Sequence, residues 1–282
     1  MSWRLDIGYE TVYRYDRPVV ASYNEARVTP LSAGRQRVGR ADISVQPAAQ
    51  LFTYTDYWGT LVHVFDVHAP HERLVVKSAA TVETAGTDGA DEDGGLSWDD
   101  VSTGPFSDRF YEFLAPSRLV GPTELAKRAE ELRRGCGTPA EAAGRAVAWS
   151  RTQLEYGPGA TTVGTTALEA WRAGRGVCQD FAHLSLAVLR AMGVPARYVS
   201  GYFYPRPEGV VGAELVGESH AWVEAWLGKW LPYDPTNGVA VGERHVVVAR
   251  GRDYSDVPPL RGIYSGPPGS ATEVRVRMVR RA

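Results

Sequence analysis

Of the two cysteines in this chain, Cys178 has the surroundings that a thiol nucleophile needs. It opens the run CQDFAHLSLAVLRAMG, where Phe181, Leu184 or Ser185, Val188 and Met192 recur at helical spacing. A thiol attacks as its thiolate, and the unpaired N–H groups and dipole of a helix start favour that anion. Gly174 and Gly176 just upstream would let a substrate backbone approach the sulfur, and the N–H of Cys178 could donate to an oxyanion. His220 begins an alternating segment with Trp222, Glu224 and Trp226 on its own side, and Asp234 closes the next such segment. An imidazole there would take the thiol proton, and a carboxylate would orient the imidazole.

The spacing permits the Asp–His contact without forcing it. Placing Asp234 opposite His220 centres a hairpin at Leu227, a three- or five-residue loop in which Gly228 suits a left-handed position. A two-residue Gly228-Lys229 turn would instead pair His220 with Asn237. A lone cysteine is more often a small buried hydrophobe, and Cys136, in RRGCGTP, reads as that.

The elements that must position these residues fall into two blocks. Residues 10–15, 43–45, 61–67 and 74–82 read as short strands separated by turn residues, which suggests a β-sandwich over 1–85. Residues 86–104 are rich in Gly and acid and read as a solvated linker. A catalytic unit over 105–282 then begins with an apolar stretch at 106–114, a helix opened by Pro122 and a second helix from Pro139. The Cys178 helix stops at Gly193 and Pro195, and strands follow at 196–204, 220–226, 230–234, 246–249 and 273–279.

At 282 residues, 44% hydrophobic and 23% charged, the chain can bury a sizeable core. A net charge of −2 supplies no field that would draw nucleic acid or an acidic membrane. The N-terminus has no apolar run of signal-peptide length, and no stretch is long enough to span a bilayer. A cytoplasmic location with reduced thiols is therefore expected.

GRGVCQDFAHLSLAVLRAMGVPARYVSGY, SHAWVEAW and WLPYDPTNG together resemble the three-block core of transglutaminase-like cysteine enzymes. Cys178, His220 and Asp234 fall on that family's catalytic positions. YETVYRYDRPVVASYNEARVTP, DYWGTLVHVFDV and APHERLVV are similar to the β-domain that precedes this core in many bacterial members. The resemblance implies an α+β, papain-like core with the Cys helix packed on an antiparallel sheet, and sulfur attack on an amide carbonyl to give an acyl-enzyme. Water as acceptor would make a protease, amidase or deamidase, the favoured reading by analogy with bacterial relatives. An amine acceptor would make a crosslinking transglutaminase, and a module that keeps the fold without turnover is the remaining alternative.

Other residues carry weaker expectations. Tyr156 is the candidate second oxyanion donor, with Gln179 and Trp222 as further residues of the cleft, while Trp222 and Trp230 could equally wall it or pack the core. Asp180 reads as a helix cap, and His183 as a packing residue one turn past Cys178. His63, His68 and His71 do not share a strand face, so no metal is expected there, and no calcium-loop motif is present. No cofactor is expected. The expected partner is a protein or peptide substrate under a lid at 205–217, with the β-domain free to recognise substrate or dock another protein.

Overall fold

The structure, a computed structural model, describes residues 2–86, 94–121 and 124–282. The N-terminal strands are β1 (Ser2–Val19), β2 (Ala21–Ala26), β3 (Gln36–Gln46), β4 (Phe52–Thr55), β5 (Leu61–Val67) and β6 (His71–Ala85). Helices α1 (Trp98–Val101), α2 (Gly104–Arg109), α3 (Tyr111–Leu114), α4 (Leu125–Arg133) and α5 (Pro139–Gln153) follow. Next come β7 (Glu155–Tyr156), α6 (Ala167–Ala173), β8 (Arg175–Gly176) and α7 (Cys178–Ala191). The chain ends with β9 (Ala196–Phe203), β10 (Glu214–Trp226), β11 (Trp230–Tyr233), β12 (His245–Gly251), β13 (Leu260–Ser265) and β14 (Ser270–Arg280). Among the described residues no helix is long and apolar enough to cross a membrane.

Strand alternation builds the larger sheet. In β1, Trp3, Leu5, Ile7 and Tyr9 are buried while the residues between them face outward, the period-two pattern of a half-buried strand. An eight-stranded sheet runs β12-β9-β10-β14-β1-β6-β3, with β11 paired to β10, and a smaller sheet runs β13-β2-β5-β4. The large sheet curls until its ends meet. Gln36, the first residue of β3, donates Nε2 to Val247 O at 2.8 Å and accepts the Val247 N–H at 2.8 Å, covering the free edge of β12.

Residues 260–280, grouped from sequence with the catalytic unit, lie instead among the N-terminal strands: β13 pairs β2, and β14 sits between β1 and β10. Alternation in a sequence shows that a strand exists but carries no record of its partner, which is why this placement was not visible. Part of the stretch read as linker is also ordered: Ser97 and Asp100 form a capping box that starts α1, and Trp98 Nε1 donates to Cys136 O at 3.0 Å. Pro122 lies outside the described residues, and α4 begins at Leu125.

Helix α7 is the structural centre. Its spacing suggested one apolar face, yet Gln179 through Arg190 are all buried. Helices α4, α5 and α6 cover one side of it, and β9 and β10 the other. The polar residues on its far side therefore need partners: Ser185 Oγ bonds Phe181 O, and Arg190 bonds Ala196 O and Ser117 Oγ.

Gly201 shows how closely β9 is packed between β10 and β12. A Cβ there would stand 2.1 Å from Val246 O and 2.6 Å from the Trp222 ring. Gly201→Ala is expected to destabilise the protein by about 1–3 kcal/mol or more, read as a lower urea midpoint with an unchanged m-value. A native midpoint would show that the strands can separate freely.

Candidate active site

The turn leading into Cys178 is built locally. Gly174, with φ +64, ends α6 in the left-handed conformation, and its N–H returns to Ala170 O. Residues 175–176 then pair in parallel with β7, and Val177 is the extended residue before α7. The role of Gly176 differs from the expectation. A Cβ there would meet Asp180 Cβ at 2.6 Å, so its missing side chain makes room for Asp180 and not for substrate. Asp180 Oδ2 accepts from Val177 N at 2.8 Å and Thr161 Oγ1 at 2.6 Å, a cap that also pins the loop over the helix start. Cys178 is half-buried at this point, and both cysteines are free thiols.

His220 lies on β10 where the strand becomes buried on both faces, and it is 4% exposed. The hairpin from β10 to β11 takes neither register considered from sequence. Trp226 pairs with Trp230 and Val223 with Tyr233, so the loop is 227–229, with Gly228 at φ +96. Asp234, directly after β11, is thus a diagonal neighbour of His220, and its carboxylate still closes the gap. His220 Nε2 lies 2.9 Å from Asp234 Oδ2. The sequence Asp234-Pro235-Thr236-Asn237-Gly238 folds back on itself. Oδ1 accepts the N–H groups of Thr236 and Asn237, both at 3.0 Å, and Gly238, at φ +64, returns its N–H to Asp234 O. Asn237 Nδ2 adds a bond to Oδ2 at 2.9 Å.

Cys178 lies close enough to His220 to influence the proton affinity of its ring. With Nε2 held by Asp234, Nδ1 is the ring nitrogen that can exchange a proton with another group. Burial works against a charged ring here, but the bond to Asp234 with its charge, and the nearby Cys178, outweigh it and raise the His220 pKa to about 9. Burial likewise opposes the Asp234 anion, and His220, His245 and Asn237 together hold that carboxyl well below its usual range.

Two family models match this chain: "Bacterial transglutaminase-like N-terminal region" over residues 5–83 and "Transglutaminase-like superfamily" over residues 126–235. The chain belongs to the bacterial transglutaminase-like superfamily. An uncharacterised protein of Mycobacterium leprae is 43% identical over 281 residues, covering 99% of this chain and 100% of its own. A protein-glutamine gamma-glutamyltransferase of Pseudomonas aeruginosa is 42% identical over 69 residues, 23% of this chain and 10% of that protein. Among solved structures, a candidate cysteine protease from Cytophaga hutchinsonii superposes with a TM-score of 0.79 at 21% identity, over 99% of this chain and 91% of that one. That last likeness is one of fold.

The other residues singled out from sequence take varied places around this superfamily core. Tyr156, 54% exposed on β7 and paired with Gly176, stands near Cys178; burial and the Cys178 charge both raise its phenol pKa. Gln179 is buried and donates Nε2 to Val163 O, tying down the loop that Thr161 also holds. Trp222 is fully buried, stacked 6.0 Å from His220 and edge-on to His245, so it shields these hydrogen bonds from water. Trp230 packs against Phe113 and Trp226, under the Arg197 guanidinium. His183 accepts from Tyr254 N through Nε2 and packs on Tyr198. His63 bonds Thr29, His71 bonds Ser22, and His68 packs on Tyr23.

His245 was missed. Its Nε2 lies 3.1 Å from Asp234 Oδ2, and it sits on β12, remote in sequence from His220. Among the described residues His220, Asp234 and His245 form a group with metal-ligand side chains. The Gly242 N–H donates to His245 Nδ1 at 3.3 Å, so Nε2 carries the proton and points it at the carboxylate. A metal on Nε2 would need a proton on Nδ1, where that N–H already points. The donor set therefore fits a hydrogen-bond network and not an ion.

The buried histidines set a pH dependence of stability. Burial, offset in part by Asp253, pushes His183 from 6.5 down to about 4, and burial also lowers His63 and His245. The unfolded chain takes up protons at these rings below 6.5 and the native state does not, so their stability is lost as pH falls from 6.5 toward 4. His220 has the opposite sign: its contribution is complete below 6.5 and is lost as pH rises through about 9. Urea midpoints should peak at about pH 6–7 and fall on both sides. A profile rising steadily to pH 9 would contradict this assignment.

Proposed function

We propose that the protein is a thiol enzyme in which Cys178 attacks an amide carbonyl, His220 moves the proton and Asp234 orients His220. One observation carries the reading: His220, whose proton affinity responds to the half-buried Cys178 thiol at the start of α7, has its Nε2 held 2.9 Å from a buried, fully bonded carboxylate. His220 Nδ1 takes the thiol proton and sulfur adds to the carbonyl carbon. The N–H of Cys178, with Tyr156 as candidate partner, receives the oxyanion. Collapse of that adduct expels the amine with the proton from His220 and leaves a thioester on Cys178. Water delivered to the same imidazole then releases the acid. Hydrolysis of protein or peptide amides is the favoured outcome.

Amine transfer is the second reading. The 69-residue match to the Pseudomonas gamma-glutamyltransferase favours it, and both readings share the thioester. A glutamine-containing peptide incubated with a fluorescent amine separates them. Ammonia release or peptide cleavage without label incorporation is the expected result, and label on the peptide would replace hydrolysis with transfer.

A further inference from the structure

Asp234 serves two imidazoles. His245, 4% exposed, lies against Phe203 with centroids 4.8 Å apart, and its Nε2 reaches the same Oδ2 that receives His220. Its tautomer is set from behind, because the Gly242 N–H can only donate and so leaves Nδ1 bare. The strand that begins with His245 is itself held by the N-terminal β-unit: Leu31 N–H donates to Val247 O at 3.1 Å, and the Gln36 amide bonds both Val247 N and O.

We propose that His245 is a positioning residue, donating Nε2–H to Asp234 so that the carboxylate is both aimed at His220 and partly neutralised before His220 meets it. The proposal rests on the reading of Cys178 and His220 as nucleophile and base. A carboxylate on a rotatable side chain can turn away from one donor, but with His245 and Asn237 on Oδ2 and two backbone N–H groups on Oδ1 it cannot. The N–H dipole of His245 points its positive end at Asp234 and so draws off part of the charge that would otherwise stabilise the His220 imidazolium. His245 thereby moderates the proton affinity of His220, which must both accept and return a proton. The charged groups facing His245 are Asp234, His220 and Arg244; those facing His220 are Asp234 and Cys178. Arg244 and the His220 charge add to burial in keeping His245 neutral, while Asp234 opposes them.

Nitrogen-15 NMR of labelled histidines in the native protein, His245→Leu and His245→Gln tests this without any substrate. In the native protein, His245 should show a protonated Nε2 and a bare Nδ1 at neutral pH. In His245→Leu the titration midpoint of His220 should rise by roughly half to one pH unit. In His245→Gln, whose side-chain N–H reaches the same point, it should stay at the native value. Once a substrate is known, the leucine variant should lose kcat by roughly 10- to 100-fold with KM unchanged, and glutamine should restore it. The reversed tautomer, an unmoved His220 in the leucine variant, or glutamine shifting His220 as far as leucine does would each overturn the proposal. If leucine prevents folding, the native tautomer and the glutamine variant decide. Native protein that turns over no amide would sink the enzyme reading while leaving the His220 shift as a separate result.

Discussion

Replacing Cys178 with alanine is expected to abolish amide turnover, a loss on the order of 10⁴-fold or more in kcat. In the proposed reaction every covalent step runs through that sulfur, and the other cysteine is not placed to replace it. Cys136 is buried, with its Sγ donating to Leu132 O, and belongs to the α4–α5 region. The same substitution should leave the fold nearly intact. Cys178 is half-buried, so removing its sulfur costs about 1 kcal/mol or less. Turnover and a urea unfolding curve on the same preparation separate the two effects. Residual turnover within tenfold of native would show that the chemistry lies elsewhere.

Asp234→Asn should be nearly as damaging to activity and worse for stability. Oδ2 receives His220, His245 and Asn237, and Oδ1 receives two backbone N–H groups, so all of the bonds onto this carboxylate come from donors. An amide has one NH₂ group, and in either orientation that group faces donors and leaves them unpaired. The expected costs are roughly 2–4 kcal/mol of stability and about 10²- to 10⁴-fold in kcat. His220 would also lose the charge that holds its pKa up, so its titration midpoint should drop from about 9 toward the ordinary 6.5. Chemical denaturation and NMR titration of the variant check both. A variant with native stability and an unmoved His220 would mean that Asp234 is not the orienting group.

Much of this site was legible in the sequence because its parts are local. The helix start at Cys178, the alternating strand from His220 and the tight turn after Asp234 each follow from neighbouring residues, and the spacing allowed the strands to bring them together. The hairpin register was not legible. Whether the loop takes two, three or five residues depends on how Trp226 and Trp230 pack on Phe110 and Phe113, contacts made with distant helices. His245 was hidden for a related reason: it reaches Asp234 because β12 pairs with β9, and no sequence interval encodes that. The placement of β14 between β1 and β10 is equally non-local, and it makes the N-terminal strands part of the sheet that carries His220. Gly176 carried a misleading signal. A glycine beside a nucleophile suggests room for substrate, but the neighbour it admits is the chain's own Asp180.

The reactivity of one sulfur decides whether Cys178 is a nucleophile, and alkylation by iodoacetamide read by mass spectrometry measures it directly. With native protein, modification should fall on Cys178 far faster than on Cys136, and His220→Ala should slow it markedly at neutral pH. Equal, slow labelling of both cysteines, or a Cys178 rate indifferent to His220, would contradict the assignment of Cys178 as an imidazole-activated nucleophile.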